Sequence, residues 1–425
     1  MGTSGRAIGS NFAWLVADKI VRLIIGLLVS AWVARYLGPE QFGVLAYALT
    51  FIAIFQAIAL LGLDNLVVRD LAAHPLQAHK YLGTTIGLRC ASATASYIMV
   101  VAIAALLNKE DNQAFTVVSI VGLIIFFQIS DVIDLWFQSQ LQSRRTVLAK
   151  WVSYSLTAVI KILLILSGAG LIAFAAAAVI EAALALVALS IAYRLFKTTA
   201  RWEWSTSVAM ALLKQSWPLL ISGLSILLYM RISVIFLRES AGNSAVGIYT
   251  VGVTLSELWY FIPMALATSL APYISRKRTE GGEDYKRLIY KAFSIMWILS
   301  FTVVTFNALT AKYWVALLYG EQYKISAEIF ALHTFTFVPV CLGVIQSIWL
   351  INEGRSRLAL YQAISGAIVA LSLNFILTPT HGAHGAAAAT VVSQFVQAFL
   401  VNVFLAPDLF RLQVRSLRFI SAMRS

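Results

Sequence analysis

The sequence predicts an all-α integral membrane protein with twelve transmembrane helices in two six-helix lobes. Three observations carry that prediction. The 425-residue chain is 60% hydrophobic and 12% charged, about half the charged share of a soluble globular domain. Apolar runs of at least about 20 residues, the length that crosses a bilayer, recur along nearly the whole chain. Patterns in the first half return, in the same order, in the second.

The runs fall near 12–35, 42–63, 82–107, 114–138, 148–168, 170–195, 215–238, 244–272, 289–311, 326–350, 358–378 and 383–405. With the N-terminus inside, alternate loops collect about 22 Lys and Arg, among them Arg144, Arg145, Arg276, Lys277 and Arg278, whereas the other loops hold only Arg35, Lys109, Arg238, Lys312 and Lys324. The positive-inside rule then puts both termini in the cytoplasm. The longest links, 196–214 and 273–288, fall on the same side. The expected organisation is an N-lobe over 1–195 (helices 1–6), a cytoplasmic linker over 196–214, a C-lobe over 215–405 (helices 7–12) and a basic cytoplasmic tail over 406–425. The 273–288 link, "YISRKRTEGGEDYKRL", reads either as a solvated charged loop or as a contact for anionic lipid headgroups.

The net charge of +13 is accounted for by those loops and does not suggest nucleic acid, because the basic residues are scattered among apolar helices. Cys90 and Cys341 lie in different apolar segments without metal-like spacing. "MGTSGR" has Arg6 where a myristoylation site needs Ser or Thr. No cleavable signal peptide is expected, since the first apolar run is long and leads into further spans.

The duplication is visible in two places. "GLIAFAAAAVIE" (170–181) aligns with "GAHGAAAATVVS" (382–393), and "GPEQFGVLAY" (38–47) with "GNSAVGIY" (242–249), each of the latter pair with two glycines five apart. Because six is an even number, both halves enter the membrane from the same side. This is a parallel repeat about an axis along the membrane normal, a pattern of secondary transporters whose site lies between the halves. The alanines and glycines are expected to serve close helix packing.

Charges inside the spans are costly, roughly 2.5–3.5 kcal/mol each on an insertion scale. They are Asp18, Lys19, Arg22, Arg89, Asp131, Asp134, Lys161, Glu181, Arg231, Glu257 and Glu328. The deep cations Lys19, Arg22, Arg89, Lys161 and Arg231 are candidate substrate contacts, because such a lining attracts an anion and the Arg fork suits phosphate oxygens. Asp18, Glu181 and Glu257 are candidates for coupling or charge pairing: Asp18 and Arg22 are four apart on one helical face, and Lys161/Glu181 and Arg231/Glu257 lie on consecutive helices at similar depth. Structural pairing and anion binding both remain open at this level. "GAGLIA" (168–173) lacks the βαβ context of a dinucleotide site, His381 and His384 lack a third metal ligand, and "DVID" (131–134) is not a nucleotide-sugar motif. No cofactor or metal is expected.

Residues 34–72, "ARYLGPEQFGVLAYALTFIAIFQAIALLGLDNLVVRDLA", resemble the signature of the Wzx-type polysaccharide-biosynthesis flippases. The match lies in Leu37-Gly38-Pro39, Phe42-Gly43, Tyr47, Gly62-Leu63, Arg69 and Leu71-Ala72, with "TPTHGAHGAAAATVVSQ" (378–394) similar to the same family's penultimate loop and final helix. The resemblance implies a V-shaped, MATE/MOP-like bundle of two lobes working by alternating access in the bacterial inner membrane. The implied cargo is an undecaprenyl-diphosphate-linked oligosaccharide for O-antigen or exopolysaccharide synthesis, with Arg22, Arg89 and Arg231 placed against the diphosphate. Membrane lipid, a polysaccharide polymerase and a chain-length regulator are the candidate partners, and nucleic acid is not among them. The alternative within the fold is a MATE-like multidrug or organic-cation antiporter, kept open by Asp18 and Glu181. A membrane enzyme is disfavoured because no large outer loop or soluble domain is expected.

Overall fold

The computed structural model describes the backbone of residues 3–108, 111–196, 201–280 and 283–422, and the side chains of 23–108, 111–196, 201–280 and 284–417. Every regular element in that range is helical. In chain order they are α1 (Thr3–Leu60), α2 (Asp64–Ala73), α3 (Ala78–Leu107), α4 (Asn112–Gly122), α5 (Ile124–Phe127), α6 (Asp131–Ser139), α7 (Ser143–Leu166) and α8 (Leu171–Arg194). They continue with α9 (Thr206–Glu257), α10 (Phe261–Glu280), α11 (Glu283–Tyr319), α12 (Ser326–His333), α13 (Phe337–Asn352), α14 (Ser356–Phe395), α15 (Asn402–Leu405) and α16 (Pro407–Ala422).

Polarity is inverted relative to a water-soluble bundle. On α7, Val152, Leu156, Val159 and Leu163 are exposed while Ala149, Ser153 and Thr157 are buried. An apolar outer stripe at i, i+4, i+7, i+11 over a small and polar inner face is stable only where the surroundings are lipid. The protein is a multi-pass membrane protein.

Among the described residues, nine helical stretches are long and apolar enough to span a membrane. Three are too long for one crossing: Leu23–Ala73, Thr206–Glu280 and Ser356–Leu405. As one rod, the 58 residues of α1 would measure about 87 Å, against a hydrocarbon core of about 30 Å. Each stretch contains a glycine outside helical geometry: Gly38 (φ 72°, ψ 171°), Gly242 (φ 80°, ψ −179°) and Gly382 (φ 54°, ψ −132°). The region adopted by Gly38 and Gly242 is open essentially to glycine alone, and Pro39 follows Gly38 at the first position of the next helical segment, where its missing N–H costs nothing.

The chain divides into two compact units. The first comprises Met1–Leu37 and Val44–Leu224. Its best-packed cluster joins Leu66, Val67 and Leu71 of α2 with Ile133, Trp136 and Phe137 of α6, Leu189 of α8 and Leu212 of α9. The segment 196–214 is helical from Thr206 onwards, with Ala209 and Leu212 buried.

The second unit comprises Gly38–Gly43 and Ser225–Ser425. Its core joins Phe293, Met296 and Trp297 of α11 to Phe337, Cys341 and Ile345 of α13 and Leu409 of α16. Within it the two segments that carry the paired glycines lie against each other. A Cβ on Gly43 would stand 1.8 Å from the Asn243 carbonyl oxygen, and one on Gly247 would stand 2.1 Å from that of Pro39. Pro407–Ala422 form helix α16, with Leu409, Gln413 and Ser416 buried. The Gln413 side chain joins Gln346, Gln362 and Asn402 in a buried amide ring with contacts of 2.7–3.2 Å.

Several local features recur at a nearly constant offset. A 3₁₀ turn interrupts the fourth apolar run at Gln128–Ser130 and the tenth at Thr334–Thr336. Phe174, Ala175 and Ala177 are buried in α8, as Ala386, Ala387 and Ala389 are in α14.

Candidate functional site

A charge within the membrane needs a counter-charge or water, and each described embedded ion of the candidate set has a counter-charge. In the first unit, α7 and α8 are joined by the short turn 167–170 and pack side by side. That hairpin brings Lys161 Nζ to 3.1 Å from Glu181 Oε2, with the two side chains 24% and 33% exposed. The pair is therefore reachable from outside the protein.

Arg89 of α3 is different. It is 1% exposed, and its Nη2 donates to Oδ1 of Asp64, in the first turn of α2. Among the described residues its Nε and Nη1 find no acceptor, nor does the amide nitrogen of Gln56. These groups and Gln128 border a cavity of about 10 Å³, a volume that holds about one water molecule. A bulky headgroup has no room there. At the end of the same unit, Lys150 bridges Asp131 (2.9 Å) and Asp134 (2.6 Å).

In the second unit, the break at Gly242 folds α9 back on itself, so that Arg231 and Glu257 of one helix meet. Arg231 Nη2 donates to Glu257 Oε2 at 2.8 Å, with exposures of 32% and 17%. Polar groups continue inward from this pair. Ser256 Oγ lies 2.6 Å from Nδ1 of fully buried His333, and Tyr260 Oη lies 2.5 Å from Thr336 Oγ1. Thr390 joins Ser233 (2.8 Å) and Tyr249 (3.2 Å). His333 Nε2 is buried without a hydrogen-bond partner among the described residues. Glu257 and His333 are each the last residue before a 3₁₀ turn, Leu258–Tyr260 and Thr334–Thr336. Mid-helix 3₁₀ turns, wound more tightly and with poorer hydrogen-bond geometry than the α-helix, often mark hinges.

Of the eight candidate residues, Asp18, Lys19 and Arg22 lie outside the described side chains. Lys161 is brought to Glu181 and Arg231 to Glu257, while Arg89 is held by Asp64. The sequence reading missed Asp64, which sits in what reads as a loop. It also missed His333 and its neighbours, whose only signal is polar residues at helical spacing inside apolar runs. His384 faces Glu328 at 3.0 Å, and no cluster of three metal-ligand side chains occurs among the described residues. The described candidates thus form one-to-one ion pairs, Lys161 with Glu181 and Arg231 with Glu257 partly open and Arg89 closed on Asp64. An arriving anion could contest the carboxylate for the cation, above all at the Arg231 fork.

A family model described as "Polysaccharide biosynthesis protein" matches residues 32–328. The succinoglycan biosynthesis transport protein ExoT of Rhizobium meliloti (strain 1021) is 24% identical over 248 residues, which are 58% of this chain and 49% of that protein. The chain thus spans about half the length of that curated relative. Among solved structures, an inward-facing multidrug resistance MATE family transporter of the MOP superfamily superposes with a TM-score of 0.71 at 17% identity, covering 92% of this chain and 95% of that one. The lipid II flippase MurJ in an inward closed conformation also gives 0.71, at 14% identity, covering 96% and 92%. The fold is therefore that of the MOP-superfamily transporters.

Proposed function

This chain belongs to the polysaccharide biosynthesis protein family, and from that premise we propose that it is a flippase for lipid-linked oligosaccharide. It moves an undecaprenyl-diphosphate-linked oligosaccharide from the cytoplasmic to the periplasmic leaflet of the bacterial inner membrane, by alternating access, for O-antigen or exopolysaccharide assembly. A polysaccharide polymerase and a chain-length regulator then take the cargo onward. The name of the Rhizobium relative, a transport protein of succinoglycan biosynthesis, supports this cargo class.

In this reading the nine stretches make twelve spans, the three over-long ones each turning back at Gly38, Gly242 or Gly382. The spans form two six-helix lobes, 1–195 and 215–405, with 196–214 as linker, 406–425 following the last span and both termini cytoplasmic. Support comes from the matched backbone at Gly38 and Gly242 and from the 3₁₀ turns at 128–130 and 334–336.

The observation that carries the chemistry is the pairing of embedded cations with single, partly exposed carboxylates: Lys161 with Glu181 and Arg231 with Glu257. A bare cation would be too costly in the empty protein, and a permanently neutralised one could not hold a diphosphate. A single carboxylate can be displaced, or it can take up a proton and release its cation to the phosphate oxygens. Lys161, Arg231, Lys19 and Arg22 thus form the proposed anion set, whereas Arg89, expected among them from the sequence, is closed on Asp64 beside a cavity with no room for a headgroup. Glu181, Glu257 and Asp18 are the groups through which ion movement is coupled.

A strain lacking the gene tests this reading. It is expected to lose surface polysaccharide and to accumulate lipid-linked oligosaccharide that an added glycosidase cannot reach from the periplasmic side. An unchanged polysaccharide with raised sensitivity to organic cations would instead mark a multidrug antiporter.

A further inference from the structure

The second unit holds a cleft of about 600 Å³ at the end where α10, α11, α13 and α16 meet, within the size range of small-molecule sites. Its floor is apolar and aromatic, made by Ile289 of α11 and Trp349 of α13, both buried, and Leu412 of α16. Its rim is basic: Arg278, Lys286, Arg411 and Arg415. Both carboxylates at the cleft are already engaged. Glu353 pairs with Arg278 at 3.1 Å, and Asp408 accepts from Arg355 at 2.8 and 3.1 Å.

Arg411 and Arg415 therefore face the opening with no carboxylate among the described residues. They stand four apart on one helical face, where two like charges repel. The helix that bears them is held rigidly from behind. Gln413 enters the buried amide ring, Trp297 Nε1 donates to the Gln413 carbonyl at 3.1 Å, and Ser294 Oγ donates to that of Ser416 at 2.9 Å. Guanidinium groups on an anchored helix, above an apolar floor and with no carboxylate partner among the described residues, form a receptor for an anion with an apolar body.

We propose that this cleft binds the phosphate headgroup of an anionic membrane lipid, with Arg411 and Arg415 on the phosphate oxygens and the lipid's apolar part against Ile289, Trp349 and Leu412. Helix α16 follows the last membrane-capable stretch, which puts the cleft beside the bilayer surface, where basic pockets recruit such lipids. The site is separate from the embedded ion pairs and does not depend on which cargo the protein carries. It makes the lipid a partner that braces α16 against α11 and α13.

The full-length protein in neutral detergent is titrated with dihexanoyl phosphatidylglycerol, dihexanoyl phosphatidylcholine or inorganic pyrophosphate, and thermal unfolding is followed. The anionic lipid is expected to raise the midpoint saturably. The exposed double substitution Arg411→Gln/Arg415→Gln should raise its half-saturating concentration at least tenfold, and Arg411→Lys/Arg415→Lys should retain part of the effect. A control pair outside the cleft, Arg201→Gln/Lys214→Gln, should leave the titration unchanged. Saturable stabilisation by pyrophosphate that is lost in the same double variant would uphold the phosphate site and assign it to a soluble phosphate. Stabilisation that survives Arg411→Gln/Arg415→Gln, that is lost equally in the control pair, or that matches phosphatidylcholine overturns the proposal.

Discussion

Replacing Arg231 by Gln removes one side of an embedded ion pair and separates stability from function. The pair is 2.8 Å long, and Glu257, which would be left behind, is 17% exposed. Breaking a buried pair from one side costs about 3–5 kcal/mol. Because Arg231 is itself 32% exposed, the lower end applies, about 3 kcal/mol, or a midpoint fall of about 6–12 °C for a folding unit of this size. Glu257→Gln leaves a guanidinium that can reach water, and the loss of a charged hydrogen bond costs about 1.5–3 kcal/mol. The double variant Arg231→Gln/Glu257→Gln leaves no stranded charge and is expected to return to within about 1 kcal/mol of the parent. The assay is thermal unfolding of the purified protein in detergent, run beside polysaccharide export by the same variants in a strain lacking the gene. Stability should recover in the double variant while export stays lost, since the cation for the diphosphate is gone. A double variant no more stable than Arg231→Gln would refute the pairing argument. One that exports normally would refute the role of Arg231 as an anion contact.

Three other outcomes follow from the same structure. Gly43→Ala and Gly247→Ala should each cost at least about 1–3 kcal/mol, the usual toll of overpacking, because the added methyl meets backbone at 1.8 and 2.1 Å. Gly223→Ala, with nothing within 4 Å, should cost nothing measurable in the same unfolding assay. Asp64→Asn should lower stability by about 3–5 kcal/mol, since Arg89 is 1% exposed and loses its carboxylate partner Asp64; unchanged membrane levels and midpoint would show that water fully solvates Arg89. For the first helix, Arg22→Ala should abolish export with the protein still inserted, and export restored in Asp18→Asn/Arg22→Gln would reduce that pair to structural neutralisation.

The helical membrane class was legible because apolar runs need no tertiary partner to be recognised. The repeated glycine pattern was visible too, but it reads as close packing, and that Gly38 and Gly242 also break their helices is seen only in the structure. The contacts of Lys161 with Glu181 and of Arg231 with Glu257 were legible because neighbouring helices folding back on each other bring such residues together. Asp64 with Arg89 was not, because the carboxylate opens a helix that reads as loop and the two are joined only by packing. Nor was the packing of helix α16 visible. Its buried face is Leu409, Gln413 and Ser416, two of them polar, so apolar periodicity fails while the amide ring supplies the anchoring. His333 and Ser256 were hidden for the same reason: a polar group satisfied inside a bundle leaves no trace in a hydropathy pattern.

The central claim is transbilayer movement of a lipid-linked oligosaccharide. It is tested most directly by reconstituting the purified protein in liposomes that carry a fluorescent undecaprenyl-diphosphate oligosaccharide in the inner leaflet. Glycosidase added outside then reports the sugar that has crossed. Cleavage of the protected pool, fast with the parent protein and near the protein-free rate with Arg231→Gln/Glu257→Gln, is the expected result. An unchanged protected pool in vesicles whose protein is folded and exchanges an organic cation for protons would contradict it.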